Sequence, residues 1–359
     1  MSTYQEDRRI FSRFIDEPDE FKILWSDFEQ LRQAHAAGTL DVLTIGLGLR
    51  TVEPGRPRQP AIVLQVESLA TAKTPLTSAS GFPLFVEEVG KIVASPVPQS
   101  QDKGSAFTSH YDKPPGGVSI APLSTNYAGT LGCFVTCQGK TYLLSNRHVL
   151  DPALNGMTGG PGVQQQAFYD GNTTNQTMAT TTFLAPLSAD DPADNVDAAM
   201  AQVPGAYDPR ILTDQGGENN FAALLAPNTV VAPGDTVTKS GRTTGKTSQE
   251  VDLVSAQSRT RYGNGMTYLF KDCISIKNTS PVAFAGGDSG SLLTNAAYQP
   301  VGLLFSGNSA KGVAYASKIA TVLAALENVA GGPVEIIVGA GASPVHALEI
   351  PPQPLELVD

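Results

Sequence analysis

The decisive stretch of this chain is Gly286-Gly287-Asp288-Ser289-Gly290-Ser291, in which glycines flank an Asp-Ser pair between an apolar and a strand-like segment. By composition alone it could be an ordinary tight turn. Two earlier segments argue against that interpretation, because residues 144–150 (LSNRHVL) contain His148 and residues 195–199 (NVDAA) contain Asp197. The chain therefore carries a histidine, an aspartate and a serine in that order.

These three residue types match the groups that cleave an acyl bond through a covalent intermediate. Such chemistry needs an activated nucleophile, a base that takes its proton near neutral pH, and a group that orients the base. Ser289 is the candidate nucleophile, His148 the candidate base and then acid, and Asp197 the group that orients the imidazole. We expect the backbone N–H groups of Gly287 and Ser289 to form an oxyanion hole, because a side chain at position 287 would obstruct close approach.

The order and spacing of these residues resemble those of the chymotrypsin/trypsin-like serine protease family. Asp197 follows His148 by 197 − 148 = 49 residues, and Ser289 follows Asp197 by 289 − 197 = 92 residues. Further similarity is to a bacterial, intracellular type of this family with an N-terminal α+β extension. It rests on residues 116–120 (GGVSI), 129–132 (GTLG) and 143–150 (LLSNRHVL).

The resemblance covers residues 116–328 well and residues 39–94 loosely. It implies an all-β fold, a double six-stranded β-barrel of chymotrypsin-like type, with the triad in the cleft between the barrels. It also implies a serine endopeptidase that hydrolyses peptide bonds through an acyl-enzyme on Ser289. The implied partner is a peptide or protein substrate, and no cofactor or metal is expected.

In this family the aspartate of the oxyanion turn points inward and needs a positively charged partner. By that resemblance Asp288 would be buried, and a buried carboxylate without a partner is costly. Residues 239–247 (KSGRTTGKT) resemble the bacterial pattern in which a basic side chain supplies the partner. We therefore expect Lys239 or Arg242 to pair with Asp288, so that the turn forms without cleavage of the chain.

The substrate pocket is expected near the same segments. Ala283 and Phe284 fall where the base of the pocket should be, while Phe305-Ser306-Gly307 corresponds to its wall and to the edge strand that pairs with substrate. Because no acidic residue falls at the pocket base, a preference for Lys or Arg is not expected. Small or medium apolar side chains are expected instead.

The hydrophobic pattern divides the chain into four parts. Residues 1–95 predict a small α+β domain, with two helices in residues 5–36 and strands at 40–49, 60–66 and 85–93. Residues 96–117 are rich in Pro, Gly, Ser and Gln and predict a linker. The protease-like domain follows at residues 118–330 and ends in a helix at 316–328, and residues 331–359 form a Pro-rich tail.

Composition and charge limit the classes of partner. The chain of 359 residues has 34 acidic and 24 basic residues, a net charge of −10, and no Lys/Arg cluster stands out. A nucleic-acid or anionic-membrane partner is therefore not expected. The N-terminal residues lack a secretory apolar region, which predicts a cytoplasmic protein. Cys133 and Cys137 lie four apart on one predicted strand, so free buried thiols are expected.

Three functional hypotheses remain open at this stage. The first is the endopeptidase, regulated by its N-terminal domain, which could also bind a protein partner. The second is an inactive or occluded protease-fold protein that serves as a binding or scaffold module. The third is self-cleavage within residues 95–115, a stretch that is tethered to the site and rich in small residues.

Overall fold

Two large β-sheets, of nine and eight strands, form the body of the molecule, and a two-stranded sheet accompanies them. A computed structural model describes residues 3–12, 14–15, 18–52, 54–70, 80, 82, 84–94, 105–174, 176–192, 194–213, 221–228, 230–278 and 283–339. Within these ranges, every helix is too short or too polar to cross a bilayer.

The helices are α1 (Thr3–Phe11), α2 (Pro18–Ala36), α3 (Arg147–Leu150) and α4 (Ile319–Ala330). The strands are, in chain order, β1 (Thr44–Arg50), β2 (Gln59–Val66), β3 (Leu84–Glu88), β4 (Ser119–Pro122), β5 (Gly129–Thr130), β6 (Cys133–Cys137), β7 (Lys140–Ser145), β8 (Gly162–Gln164), β9 (Ala179–Leu184), β10 (Ala199–Gln202), β11 (Ile211–Leu212), β12 (Phe221–Ala222), β13 (Thr236–Gly241), β14 (Gly245–Arg261), β15 (Thr267–Lys277), β16 (Leu292–Thr294), β17 (Pro300–Asn308), β18 (Val313–Lys318) and β19 (Val334–Ile336).

The eight-stranded sheet, called the first sheet, has the order β19-β6-β7-β10-β9-β8-β4-β5. Strand β5 pairs with β4 and runs through Leu131 and Gly132 into β6, so the chain joins one end of this sheet to the strand next to its other end. Strand β19 adds to the edge of β6, so Val334–Ile336 of the C-terminal segment dock by extended pairing. Residues 340–359 of the predicted tail lie outside the described residues.

The nine-stranded sheet, called the second sheet, has the order β13-β16-β17-β18-β15-β14-β1-β2-β3, and β13 also pairs with β14. The six strands from β13 to β18 therefore form a ring of pairings. The predicted C-terminal helix is confirmed, but it begins at Ile319 rather than Ala316. Residues 316–318 belong to β18, because pairing with β15 and β17 on both sides outweighs the local helical pattern.

Residues 1–95 differ from the prediction of a separate domain with its own sheet. Helices α1 and α2 lie where the apolar stripes predicted them. However, β1 pairs with β14, with Thr44 opposite Ser258, so β1, β2 and β3 extend the second sheet. Buried Phe28 of α2 and Ile274 of β15 also belong to one continuous apolar core. The predicted boundary therefore does not coincide with a boundary between sheets.

Charged side chains attach α1 to the second sheet. The Lys318 Nζ atom lies 3.1 Å from Glu6 Oε1 and 2.9 Å from Asp272 Oδ1. The neighbouring Asp7 is fully buried, and this burial raises the pKa of its carboxyl to about 7, although Lys318 acts in the opposite direction. The N-terminal helix is thus held by the residue that immediately precedes α4.

The predicted linker, residues 96–117, is only partly covered. Residues 96–104 lie outside the described residues, and so do residues 95–104 of the stretch proposed for self-cleavage. Beyond them, Phe107 and Thr108 are buried in a short 3-10 turn. The Gly116 N–H donates to Arg210 O at 3.0 Å, so the end of this segment pairs with the body of the protein.

Candidate active site

Strand register brings Asp197 next to His148. Strands β7 and β10 are antiparallel, with Ala199 opposite Ser145. Asp197 lies two residues before Ala199, and α3 begins two residues after Ser145, so the register continues to residue 197 opposite the first turn of α3. The Asn146 side chain fixes this approach by donating from Nδ2 to Asp197 O at 2.7 Å.

The Asp197 carboxylate holds the histidine by two hydrogen bonds. Its Oδ2 lies 2.5 Å from His148 Nδ1, and its Oδ1 accepts the His148 backbone N–H at 3.0 Å. Both side chains are fully buried. A carboxylate on Nδ1 selects the tautomer in which Nε2 carries the lone pair, which is the nitrogen required for a general base. Nε2 is buried, and within the described residues it has no hydrogen-bond partner.

Tyr262 is a further hydrogen-bond donor to this carboxylate, and the sequence did not predict it. Its hydroxyl donates to Asp197 Oδ2 at 2.6 Å, and its ring meets the His148 imidazole edge to face with centroids 5.6 Å apart. The residue follows directly after β14 and is only 3% exposed. No local pattern identifies it, because the contact joins residues 65 apart in the chain.

We expect Tyr262→Phe to lower kcat about tenfold, because a hydrogen bond to a charged group contributes about 1.5–3 kcal/mol. The Tyr262 hydroxyl orients the Asp197 carboxylate and, through it, the His148 imidazole, so the loss should fall on kcat and leave KM unchanged. Steady-state kinetics at several substrate concentrations test this. The matched control is Tyr268→Phe. The Tyr268 ring packs on that of Tyr262 with centroids 4.9 Å apart, and its hydroxyl accepts a hydrogen bond from Asn264 instead of donating to Asp197. An unchanged kcat in Tyr262→Phe would assign Tyr262 a packing role only.

Ser289 is positioned three residues before β16 and docks on the first sheet. The Thr130 N–H of β5 donates to Ser289 O at 2.8 Å, and Ser145 Oγ donates to Thr130 O at 2.7 Å. Gly290 has φ +92°, and a Cβ there would overlap Thr130 O and Ser145 Oγ. The serine turn is therefore pressed against the end of β7, three residues before His148.

The turn around Asp288 orients the two amides predicted for the oxyanion hole. The Gly286 carbonyl accepts from Thr243 Oγ1 at 2.7 Å, and the Asp288 carbonyl accepts the Ser291 N–H at 3.0 Å. Because C=O and the following N–H point in opposite directions across a trans peptide, the N–H groups of residues 287 and 289 point away from these partners. Gly287 has φ +96°, a conformation that favours glycine.

Asp288 is buried at the centre of this turn, where its carboxylate oxygens accept hydrogen bonds from several donors. Its Oδ1 accepts the N–H groups of Thr243 (2.9 Å) and Thr244 (3.1 Å). Its Oδ2 accepts Thr244 Oγ1 (2.7 Å) and the Ala285 N–H (2.9 Å), and lies 3.4 Å from Lys239 Nζ. Burial lowers the pKa of Lys239, and the Asp288 charge opposes that shift. Lys239 is thus the basic side chain nearest to Asp288.

Arg242, the other candidate partner of Asp288, pairs instead with Asp170. Its guanidinium donates from Nε to Asp170 Oδ2 at 3.0 Å and from a terminal nitrogen to Asp170 Oδ1. Both side chains are buried, and Asp170 lies in a 3-10 turn between β8 and β9. The Arg242 backbone N–H also donates to Thr130 Oγ1 at 3.0 Å. Arg242 therefore connects the turn after β13 to the first sheet.

A cavity of about 280 Å³ opens beside Ser289. Of the predicted pocket residues, Phe284, Ser306 and Gly307 line it, whereas Ala283 and Phe305 do not. The Ala283 carbonyl is held by Thr247 Oγ1 at 2.7 Å, and the Phe305 ring packs on Phe270 with centroids 4.6 Å apart. These two residues therefore lie beneath the residues that line the cavity.

The three cysteines do not supply an alternative nucleophile. Cys133, Cys137 and Cys273 are free and buried, as the sequence predicted, and burial raises the pKa of the Cys133 thiol to about 12. A thiol in that state is inert as a nucleophile. Within the described ranges, no three His, Cys, Asp or Glu side chains are grouped to hold a metal ion.

Comparison with solved structures finds similarity to proteases. The chain is similar to Thermobifida fusca protease A, with a TM-score of 0.44 and 16% identity over 63% of this chain and 98% of that one. It is similar to a glutamic acid specific serine protease (TM-score 0.43, 18% identity, 62% and 99% coverage). It is also similar to Cellulomonas bogoriensis chymotrypsin (TM-score 0.42, 17% identity, 63% and 98% coverage). No family model and no curated protein sequence matches this chain. Similarity at this level carries no conclusion about activity.

Proposed function

We propose that this protein is a serine peptidase that hydrolyses peptide bonds through an acyl-enzyme on Ser289. The observation that carries the proposal is the buried His148–Asp197 pair, 2.5 Å between Nδ1 and Oδ2, on the sheet against which the Ser289 turn is docked. A carboxylate on Nδ1 prepares Nε2 to accept a proton, and few structural roles need a buried histidine in that arrangement.

The proposed mechanism follows from the roles of these groups. His148 Nε2 takes the Ser289 hydroxyl proton as the oxygen attacks the carbonyl carbon, and the negative charge on the carbonyl oxygen is met by the amides of residues 287 and 289. The imidazolium then gives its proton to the leaving amine, and the C–N bond breaks. Water, deprotonated by His148, attacks the acyl-enzyme, and proton return to Ser289 Oγ releases the acid.

We further propose that the two sheets correspond to the two six-stranded barrels of a chymotrypsin-like fold. The ring of pairings from β13 to β18 and the continuity of β5 with β6 support this assignment. His148 and Asp197 then belong to the first barrel and Ser289 to the second, with the reaction between them. The bacterial type and the cytoplasmic location predicted from the sequence are part of the same proposal.

The test is covalent labelling by a fluorophosphonate, which reacts with an activated serine. The wild-type chain should gain one phosphonyl group, located at Ser289 by peptide mass spectrometry. Ser289→Ala should gain none. Ser306→Ala, which removes a different hydroxyl from the same cavity, should still be labelled at Ser289. Equal labelling of the wild type and Ser289→Ala would contradict the proposal.

A second candidate is an occluded protease-fold module that binds but does not cleave. His148 is fully buried and Ser289 is 6% exposed, which favours restricted access. A folded wild-type chain that stays unlabelled over hours would support this candidate over the enzyme. Deletion of the N-terminal residues would not separate the two cleanly, because it would remove three strands of the second sheet.

A further inference from the structure

The edge of β17 continues past the point where the serine turn leaves it. The Leu304 N–H donates to Ser291 O at 2.9 Å, and Leu304 O accepts the Gly290 N–H at 3.0 Å. Strand β16 pairs with β17 only as far as Leu303, whereas β17 runs on to Asn308. An extended peptide can add to such an edge as a further strand. Here the carbonyl group of the peptide bond to be cleaved would lie beside Ser289.

This edge is already occupied by the chain itself. Val93, which follows β3, donates its N–H to Gly307 O at 3.3 Å and accepts the Gly307 N–H at 3.1 Å. The pairing is antiparallel. In an antiparallel pair these two hydrogen bonds use both the N–H and the C=O of the residue. Neither backbone group of Gly307 is therefore available to pair with a substrate backbone.

The same short segment is anchored on its other side. The Ala94 N–H donates to Arg261 O at 3.0 Å, and the Arg261 N–H donates to Ile92 O at 3.1 Å. Ile92 is 2% exposed and Ala94 is 3% exposed, both within one apolar cluster that includes Tyr262. Residues 92–94 are thus bonded on both edges and buried by alternate side chains, which is the environment of a permanent strand rather than of a displaceable one.

The outward-facing side chains of this segment form part of the cavity beside Ser289. Lys91 and Val93 line it together with Phe284 and Ser306. The Asn308 side chain fixes their position by donating from Nδ2 to Lys91 O at 3.1 Å. The N-terminal part of the chain therefore contributes a wall of the cavity in addition to filling the strand edge.

We infer that the acyl side of the site accepts only two substrate residues before it is closed by Val93; this rests on the proposed peptidase function. Strand β17 has a register shift between Leu304 and Ser306, so alternation counted back from Gly307 places Phe305 at the same edge. A substrate residue facing Phe305 beside Ser289 is therefore followed, two positions toward its N-terminus, by one facing Gly307. That second place is taken. The substrate class is therefore peptides cleaved close to their N-terminus, and longer acyl chains gain no strand pairing.

The test uses the full chain and a series of fluorogenic peptide amides. In each amide, the residue whose carbonyl Ser289 attacks has the side chain that gives the highest kcat/KM. This residue is preceded by zero to four alanines, and the N-terminus is free. We expect kcat/KM to rise when the first alanine is added and to change by less than threefold, or to fall, with each further alanine. An increase of more than threefold from two residues to three or four would overturn the inference.

Val93→Pro removes the N–H that bonds Gly307 O, and Val93→Ala keeps the backbone bonds of the wild type. If Val93 closes the edge, folded Val93→Pro should gain more than threefold in kcat/KM from a third residue, while Val93→Ala should not. A folded Val93→Pro without this gain would contradict the inference, and if the variant does not fold, the wild-type series decides. Labelled enzyme with a rising length dependence overturns only this inference. Absence of both labelling and cleavage overturns the peptidase proposal with it.

Discussion

Ser289→Ala is expected to lower kcat for peptide or ester hydrolysis by about four orders of magnitude or more. The Ser289 hydroxyl is the only proposed group that forms a bond to the substrate, so its loss leaves water as the nucleophile. Amides of the oxyanion turn and substrate binding would still supply a residual rate above that of water. Steady-state kinetics at substrate saturation, with protein purified separately from the wild type to exclude contamination, measure the effect.

The same experiment can show that the three residues act as one unit. His148→Ala should cost about as much as Ser289→Ala, and the double variant should cost no more than either, because each single change already disables the proton transfer. The control is Ser188→Ala, which removes a hydroxyl that accepts the Asp191 N–H and should stay within about twofold of the wild type. Additive losses in the double variant would mean that Ser289 and His148 do not work together.

The candidate site residues can be read from local sequence, whereas much of the architecture around them cannot. Gly287, Ser289 and His148 are recognisable because the chemistry demands those residue types beside glycines and in that order. Hydrogen-bond partners that are distant in the chain escape such reasoning. Tyr262 bonds Asp197 across 65 residues and Asp170 bonds Arg242 across 72, and neither lies in a segment with a recognisable pattern.

Strand β14 shows why part of the fold could not be predicted. Its sequence, residues 245–261, is rich in polar residues and lacks the alternation that marks a half-buried strand. It nevertheless runs for 17 residues, because β13, β15 and β1 all pair with it. Its polar side chains are satisfied by distant partners, as when Ser258 accepts from Thr44 and Gln257 donates to Arg32 O. The pairing with β1 is also what joins residues 1–95 to the second sheet, which local periodicity does not encode.

Asp288→Asn is expected to have the second largest effect, acting on folding and on catalysis together. Thr243, Thr244 and Ala285 direct four donors at the carboxylate, so an amide nitrogen in place of either oxygen would face donors rather than acceptors. Lys239 would lose its buried counter-charge as well. Breaking a buried pair in this way costs about 3–5 kcal/mol of unfolding free energy. Chemical denaturation with a constant m-value measures this loss.

The catalytic part of this prediction follows from the position of Asp288 between the two amides of the oxyanion turn. If the turn relaxes, at least one donor is misplaced, and loss of one such donor lowers kcat by about 10²- to 10³-fold. The matched control is Glu250→Gln, which breaks an ion pair with Arg58, 2.7 Å long, at a half-exposed site and should cost less than about 1 kcal/mol. In Lys239→Met/Asp288→Asn the loss should be smaller than the sum of the single losses, because the second change removes a charge that the first left unpaired. Wild-type activity in Asp288→Asn would show that the carboxylate does not hold the turn, and the role assigned here to the Lys239–Asp288 pair would be withdrawn.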